Sequence, residues 1–165
     1  MKNARFTFLQ IVVHIAGWFP LAQILYAYFT DELTANPIQR IEQLTGLAAL
    51  TFLLLSLACT PVASISGWRR LTLRRKALGN YGFMYAALHV STFVAVDYGF
   101  DLNAILLDVG TKQYIIIGLA AFLLLLPLAI TSLNYWMKRL GKNWKRLHRL
   151  VYIISPLVIL HFALV

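Results

Sequence analysis

Cysteine is almost absent from this sequence, in which Cys59 is the single example. One thiol cannot form an intramolecular disulfide or a thiolate metal centre, so both are excluded within one chain. The sequence also has no acidic pair suited to general acid–base chemistry, no Ser/His/Asp set, no P-loop and no Rossmann glycine fingerprint. These residues therefore give no support for catalysis on a bound organic substrate.

Long hydrophobic runs, by contrast, dominate the chain. Hydrophobic residues make up 60% of its 165 residues and the mean hydropathy is +0.71, whereas a soluble domain is about 45–50% apolar. The first run lacks the cleavage site of a signal peptide and is too long for one. We therefore predict an all-α fold, a polytopic transmembrane bundle that forms one domain over residues 1–165. Its five spans, each near the ~20 residues that cross a bilayer, are residues 6–29, 44–65, 77–96, 114–133 and 147–165.

Charged residues are divided unequally between the two sides of these spans. Thirteen of the fifteen lysines and arginines lie before the first span, between the second and third, or between the fourth span and Arg149 at the start of the fifth. All six acidic residues lie in the other two loops. The positive-inside rule then predicts a cytoplasmic N-terminus and an outer C-terminal end. Membrane topology explains the net charge of +9. We therefore expect the chain to lie in lipid, and its basic residues do not indicate binding to nucleic acid.

Two histidines of the apolar runs are predicted to lie at the same depth. His89 follows Lys76 by thirteen residues and His161 follows Arg149 by twelve, in spans that both run outward from the cytoplasm. At 1.5 Å per residue, both lie roughly 18–20 Å from the inner edge. Neutral imidazole is the usual axial ligand of a buried haem iron. Equal depth on two parallel helices is the arrangement that holds an iron porphyrin from both faces.

The other two histidines allow more than one interpretation. His14 lies inside the first span, where an ionisable residue is a functional candidate but is also compatible with a core imidazole that donates to a carbonyl. His148 lies at the inner interface, level with Arg75 and Lys76, and no histidine lies opposite it. It is either a ligand or electron-input residue, or an imidazole hydrogen-bonded near the headgroups.

Several motifs resemble the ferric-reductase-like transmembrane domain family. They are Trp144-x-x-Leu-His148 with Tyr152, His161 thirteen residues further on, and His89 in Tyr85-Ala-Ala-Leu-His. Three longer blocks resemble, within that family, the haem-binding membrane subunit of the periplasmic methionine sulfoxide reductase system. The blocks are residues 80–89, 126–132 and 136–149, and the resemblance covers essentially the whole chain.

This resemblance implies a b-type haem protein of the bacterial inner membrane, an electron-transfer subunit and not a stand-alone catalyst. Electrons would come from a cytoplasmic flavin reductase, with FMN as its flavin, or from the quinone pool. The recipient would be a periplasmic molybdenum-containing methionine sulfoxide reductase that repairs oxidised proteins. The acidic outer loop with Asp97, Asp101 and Asp108 offers a negative surface to such an acceptor.

Two features depart from the family pattern. Relatives with two stacked haems have a fourth histidine at the position where this chain has Arg75 or Lys76. One haem on His89 and His161 follows directly, whereas a second haem on His148 needs Arg75 as its partner or is replaced by FMN or quinone. The family also has a sixth span, so we expect a truncated form that holds its haem less well.

Two other functions agree with the same residues. One is a ferric or quinone reductase that needs no protein acceptor. The other is a non-redox membrane scaffold whose histidines are core polar groups and whose basic loops recruit a partner. A visible spectrum separates the scaffold from both redox proteins, because a scaffold gives no Soret band.

Overall fold

The computed structural model describes residues 7–165 and is helical throughout, without a strand in that range. Residues 1–6, which include Lys2, Arg5 and the first residue of the predicted first span, lie outside the described residues. The prediction of an all-α fold is confirmed. The described residues form two compact units, which divide after Gly82, each with its own internal packing.

The first unit contains α1 (Phe8–Phe29) and α2 (Pro37–Ser66). Helix α2 begins before the apolar run because Asn36 caps it, accepting a hydrogen bond from the Gln39 amide, and Pro37 pre-sets its first turn. It ends at Gly67, whose φ of +73° is a left-handed conformation that favours glycine. A 3-10 segment (Arg69–Arg74) then leads into α3 (Arg75–Ser91).

Small residues set the packing of α2 against the first half of α3. A Cβ on Gly82 would lie 3.1 Å from the backbone nitrogen of Leu53, and one on Gly79 would lie 3.3 Å from the Ser56 hydroxyl. That hydroxyl donates to the carbonyl of Arg75 at 2.9 Å. The two backbones therefore approach as closely as small residues allow, which is how helices associate in lipid.

The second unit begins within α3 and continues through a π-helical segment (Thr92–Asp97) that follows His89 by three residues. Next come α4 (Leu102–Thr111), α5 (Gln113–Ile130), α6 (Asn134–Leu140) and α7 (Lys142–Leu147). A 3-10 turn (His148–Leu150) joins α7 to α8 (Val151–Leu164). Helices α5 and α8 form the most extensive helix pair of this unit.

The surface of both units is apolar where helices face outward. Phe8 is 82% exposed and Ile130 is 55% exposed, among many other large hydrophobic side chains. Within residues 7–165, four helical stretches are each long and apolar enough to span a membrane: Phe8–Phe29, Pro37–Ser66, Gln113–Ile130 and Lys142–Leu164. Arg69–Asp97 and Leu102–Thr111 pass the same test together, as a pair bent by 117°, which gives up to five candidate spans. Soluble monomers rarely expose apolar patches of this extent, so the chain is a multi-pass membrane protein.

Candidate functional site

Two of the predicted ligand residues lie side by side in the second unit. His89 on α3 and His161 on α8 have ring centroids 6.2 Å apart, and their ring planes meet at 75°. The sequence separates them by 72 positions. Packing within the unit therefore brings together two imidazoles that are far apart in the sequence.

A backbone carbonyl orients the ring of His161. Its Nδ1 lies 2.7 Å from the carbonyl oxygen of Tyr114, at the start of α5. Because a carbonyl can only accept, Nδ1 carries the proton and donates it. The neutral ring then has its lone pair on Nε2, the atom with which a metal would bond. A histidine ligand that donates its other N–H to a carbonyl is the usual arrangement at metal centres.

Gly118 on α5 makes room for the same ring. A Cβ built on Gly118 would lie 2.8 Å from both Cε1 and Nδ1 of His161, closer than side chains normally approach. The ring therefore rests on bare backbone on that side. Tyr114 also flanks it, with ring centroids 6.2 Å apart. These contacts fix both the position and the tautomer of the imidazole.

The distance between His89 and His161 fits an axial pair. A metal–nitrogen bond of about 2.0–2.1 Å, with the ring radius added on each side, puts two opposed imidazole centroids about 6 Å apart. The observed separation is 6.2 Å. No cluster of three or more His, Cys, Asp or Glu side chains is placed for a metal ion within residues 7–165. A haem needs only two axial ligands because the porphyrin supplies the other four, so these residues fit that group.

His148 is held at the other end of α5. Its ring stacks on Trp144 with centroids 4.0 Å apart, and its Nε2 lies 3.1 Å from the hydroxyl of Thr131. That hydroxyl donates to the carbonyl of Pro127 at 2.6 Å, so it accepts from Nε2–H of His148. Trp144 donates from Nε1 to the carbonyl of Thr131 at 2.9 Å. A 3-10 turn begins at His148, so the rotation from His148 to His161 is not that of a regular α-helix.

No sequence pattern identifies Thr131 as a partner of His148, and Trp144 enters the sequence analysis only as part of the motif Trp144-x-x-Leu-His148. The two residues lie in the blocks 126–132 and 136–149, but the hydrogen bond between them depends on the turn between α5 and α6. Arg75 lies in the first unit, where its guanidinium donates to the Thr60 hydroxyl at 3.3 Å. The predicted pairing of Arg75 with His148 stays a prediction.

His14 has a phenol as its partner and not the carbonyl that its core interpretation suggested. Its Nδ1 lies 2.9 Å from the hydroxyl of Tyr81, on α3 of the first unit. Both residues lie within predicted spans. The contact connects α1 with α3 through a pair of polar side chains within the first unit.

The connection between α3 and α5 contains a short polar network. A bend of 117° turns α4 away from the direction of α3, so α4 belongs to the connection between spans. Asp108 on α4 pairs with Lys112 at 2.5 Å and accepts a hydrogen bond from the Tyr98 hydroxyl. Lys112 and then Tyr98 hold the pKa of Asp108 below its ordinary value, and the bond to Asp108 raises the pKa of Tyr98 to about 12.

Two of the three aspartates of this loop have partners within it. The Lys112 charge compensates Asp108, and Asp101 caps α4 by accepting from the amides of residues 103 and 104. Both carboxylates therefore stabilise the loop itself. The negative surface for an electron acceptor stays a prediction.

Comparison with known proteins agrees with the arrangement of these residues. The family model described as "Ferric reductase like transmembrane component" matches residues 45–159. A protein of Herminiimonas arsenicoxydans named "Protein-methionine-sulfoxide reductase heme-binding subunit MsrQ" is 45% identical over 159 residues, which cover 96% of this chain and 73% of the relative. Proteins with the same name from Xanthomonas euvesicatoria and Caulobacter vibrioides are each 41% identical, over 93% of this chain and 73% of the relative.

No solved structure matches the chain. The family assignment therefore rests on sequence, and it has two independent supports: a family model that matches more than half of the chain, and relatives of 39–45% identity along most of it. The chain belongs to the ferric-reductase-like transmembrane family and, within it, to the group of MsrQ heme-binding subunits.

Proposed function

We propose that this chain is the haem-binding membrane subunit of a methionine sulfoxide reductase system and that it carries electrons across the bacterial inner membrane. The observation that carries this proposal is the neighbouring pair His89 and His161, with ring centroids 6.2 Å apart among apolar helices. The relatives' printed names, which contain both "methionine-sulfoxide reductase" and "heme-binding subunit", support the same function.

The chain's own residues His161 and His89 would hold one b-type haem. His161 presents Nε2 because the Tyr114 carbonyl keeps the proton on Nδ1, and Gly118 lets the ring sit close to α5. His89 would supply the other ligand. When bound, the haem would supply one-electron oxidation and reduction.

The direction of transfer follows from the charge distribution. Basic residues are concentrated in the loops before α3 and before α8, so we infer that these loops and the N-terminus are cytoplasmic. Electrons would come from a cytoplasmic flavin reductase with FMN, or from the quinone pool. They would leave on the outer side to a periplasmic molybdenum-containing methionine sulfoxide reductase. The chain would act as an electron-transfer subunit and not as a stand-alone catalyst.

His148 is proposed to serve the cytoplasmic side of this path, together with Arg75. The stack on Trp144 and the bond to Thr131 fix its ring at the start of the last span. An ordered imidazole at this interface suits a second haem, a flavin or a quinone as the inner group. The haem on His89 and His161 does not depend on this second assignment.

A haem assay on the purified full chain tests the proposal. A pyridine haemochrome measurement is expected to give at least one haem b per chain. Variants His89→Ala and His161→Ala should each lose the low-spin b-type spectrum while still inserting into the membrane. Phe162→Ala is the matched control, because it truncates the lipid-exposed neighbour of His161 and should keep the spectrum.

Three results would point elsewhere. A wild-type chain without a Soret band would make it a scaffold, and an unchanged spectrum in His89→Ala would remove His89 from the ligands. A haem that is reduced normally but does not pass electrons to a periplasmic methionine sulfoxide reductase would favour a ferric or quinone reductase that needs no protein acceptor.

A further inference from the structure

A salt bridge lies at the junction that leads to the His161 contact. Asp108, near the end of α4, pairs with Lys112 at 2.5 Å, and Lys112 is the residue between α4 and α5. Tyr114 follows Lys112 by two positions, and its carbonyl oxygen lies 2.7 Å from Nδ1 of His161. The charged pair is therefore close in sequence to the group that orients a proposed haem ligand.

The backbone of Lys112 belongs to both helices. Its amide donates to the carbonyl of Asp108 at 2.8 Å, and its carbonyl accepts from the amide of Ile115 at 3.1 Å. Lys112 is also the N-cap residue of α5, but it makes no side-chain capping hydrogen bond, since an ammonium group has no acceptor. The direction in which α5 begins therefore depends on how α4 and Lys112 are held.

The phenol of Tyr98 connects the same carboxylate to α3. Tyr98 follows the π-helical segment Thr92–Asp97, which continues α3, and its hydroxyl donates to Asp108. The phenol packs on the ring of Phe93 with centroids 4.6 Å apart, and the Tyr98 amide donates to the Phe93 carbonyl at 3.1 Å. Tyr98 is thus fixed to the end of α3 by its ring and its backbone. Asp108 therefore links the helix that carries His89 with the junction between α4 and α5.

The charge of the carboxylate is matched within this network. The bond from Lys112 and then the bond from Tyr98 hold the pKa of Asp108 below its ordinary value, so the carboxylate stays ionised at neutral pH. The Lys112 side chain is 43% exposed, and an exposed ion pair contributes little to the stability of a whole protein. Its effect is therefore expected to be local, on the relative position of the two helix ends that it joins.

We propose that Asp108 is a positioning residue for His161. By pairing with Lys112 and Tyr98, it fixes the start of α5 relative to the end of α3, and the Tyr114 carbonyl then stays bonded to Nδ1. An imidazole whose other N–H is held by a carbonyl is a more basic metal ligand. Such a ligand favours the oxidised iron and lowers the reduction potential. This inference rests on the proposed haem site, but the contact that it concerns lies within the chain itself.

Nuclear magnetic resonance of the full chain, labelled with ¹⁵N at histidine, tests the contact directly. The protein is held in nanodiscs and reduced with dithionite, and the Nδ1–H signal of His161 is assigned by its loss in His161→Ala. Exchange of this proton with water should be slow in wild type. In Asp108→Asn it should be about tenfold faster, the factor that corresponds to loss of one hydrogen bond. Tyr98→Phe should change it in the same direction, whereas Lys112→Arg keeps the charge pair and should resemble wild type.

Redox titration and haem release to apomyoglobin are measured on the same samples. Asp108→Asn should have a more positive midpoint potential and release haem about tenfold faster, the lower limit for loss of support behind a metal ligand. Asp101→Asn is the matched control. It makes the same change of charge in the same connection, it removes no contact with Lys112 or Tyr98, and asparagine still caps α4. This variant should keep the potential, the haem release and the proton exchange of wild type.

The outcomes separate this inference from the proposed function. A change in all three measurements in Asp108→Asn but not in Asp101→Asn supports the positioning role. Equal behaviour of the two aspartate variants overturns it, as does faster proton exchange with an unchanged potential. A wild type without haem would overturn the proposed function, and exchange of the His161 proton would then decide the positioning role alone. If Asp108→Asn does not insert, Tyr98→Phe decides by the same measurements.

Discussion

Gly118→Ala is the substitution that tests the geometry of the haem site most directly. The added methyl group would lie 2.8 Å from Cε1 and Nδ1 of His161. The imidazole has little freedom to move away, because its Nδ1 is fixed at 2.7 Å from the carbonyl of Tyr114. We therefore expect the ring to tilt or shift, which moves Nε2 relative to His89 and lengthens the bond to Tyr114.

The size of the effect follows from two contributions. Overpacking a tight interior by one methyl group costs about 1–3 kcal/mol, and loss of the hydrogen bond to Tyr114 costs about 0.5–1.5 kcal/mol. The Tyr114 carbonyl is the hydrogen-bond partner of a proposed metal ligand. Loss of such a partner lowers metal affinity by about 10–100-fold, so we expect haem affinity to fall by this factor. The change should be visible as a lower haem-to-protein ratio and a partly high-spin spectrum, since a displaced imidazole binds iron weakly.

The assay compares haem retention in purified wild type and variant during titration with apomyoglobin, which removes released haem. Gly110→Ala is the matched control: it adds the same methyl group to a helical glycine with nothing within 4 Å of the new atom, so it should be neutral or slightly stabilising. A Gly118→Ala protein that retains low-spin haem as firmly as Gly110→Ala would show that the contact between α5 and His161 does not position the ligand.

Two further predictions concern the ends of the bundle. Asp108→Asn should lower the pKa of Tyr98 from about 12 toward 10, because the bond to the Asp108 carboxylate is the main cause of its rise; ultraviolet titration of the phenolate measures it. The raised pKa of Tyr98 means that folding favours the protonated phenol. The stability that the protonated phenol contributes is present below about pH 10 and is lost as the pH rises from about 10 to about 12. At the inner end, Thr131→Val should loosen His148 and slow haem reduction from cytoplasmic donors, while dithionite still reduces the haem on His89 and His161.

Each of these two predictions has a result that contradicts it. If the pKa of Tyr98 is the same in Asp108→Asn and in wild type, the network in the outer loop is not what raises it. If Thr131→Val and His148→Ala both accept electrons at the wild-type rate from a flavin reductase and from quinol, His148 has only a structural role. Thr111→Val, on the other side of the membrane, is the control for loss of a helix hydroxyl that bonds to its own helix.

The sequence by itself determined the properties that depend on position along a helix axis. Hydropathy located the apolar runs because burial in lipid depends on composition over ~20 residues. Charge separation predicted the orientation because each loop can be counted alone. The equal depth of His89 and His161 also followed from counting, since each helical residue adds 1.5 Å. Motifs around His89 and His148 were enough to identify the family.

The tertiary structure decided which side chains meet, because rotation about each axis and the crossing of helices depend on packing between distant segments. His14 and Tyr81 are 67 positions apart, and the bare backbone of Gly17 is what brings them together. The tautomer of His161 depends on the Tyr114 carbonyl, 47 positions earlier. His148 bonds to Thr131 because a turn and two short helices fold back over the end of α5. No local pattern encodes these partners, since each requires two surfaces to be folded against each other before the contact exists.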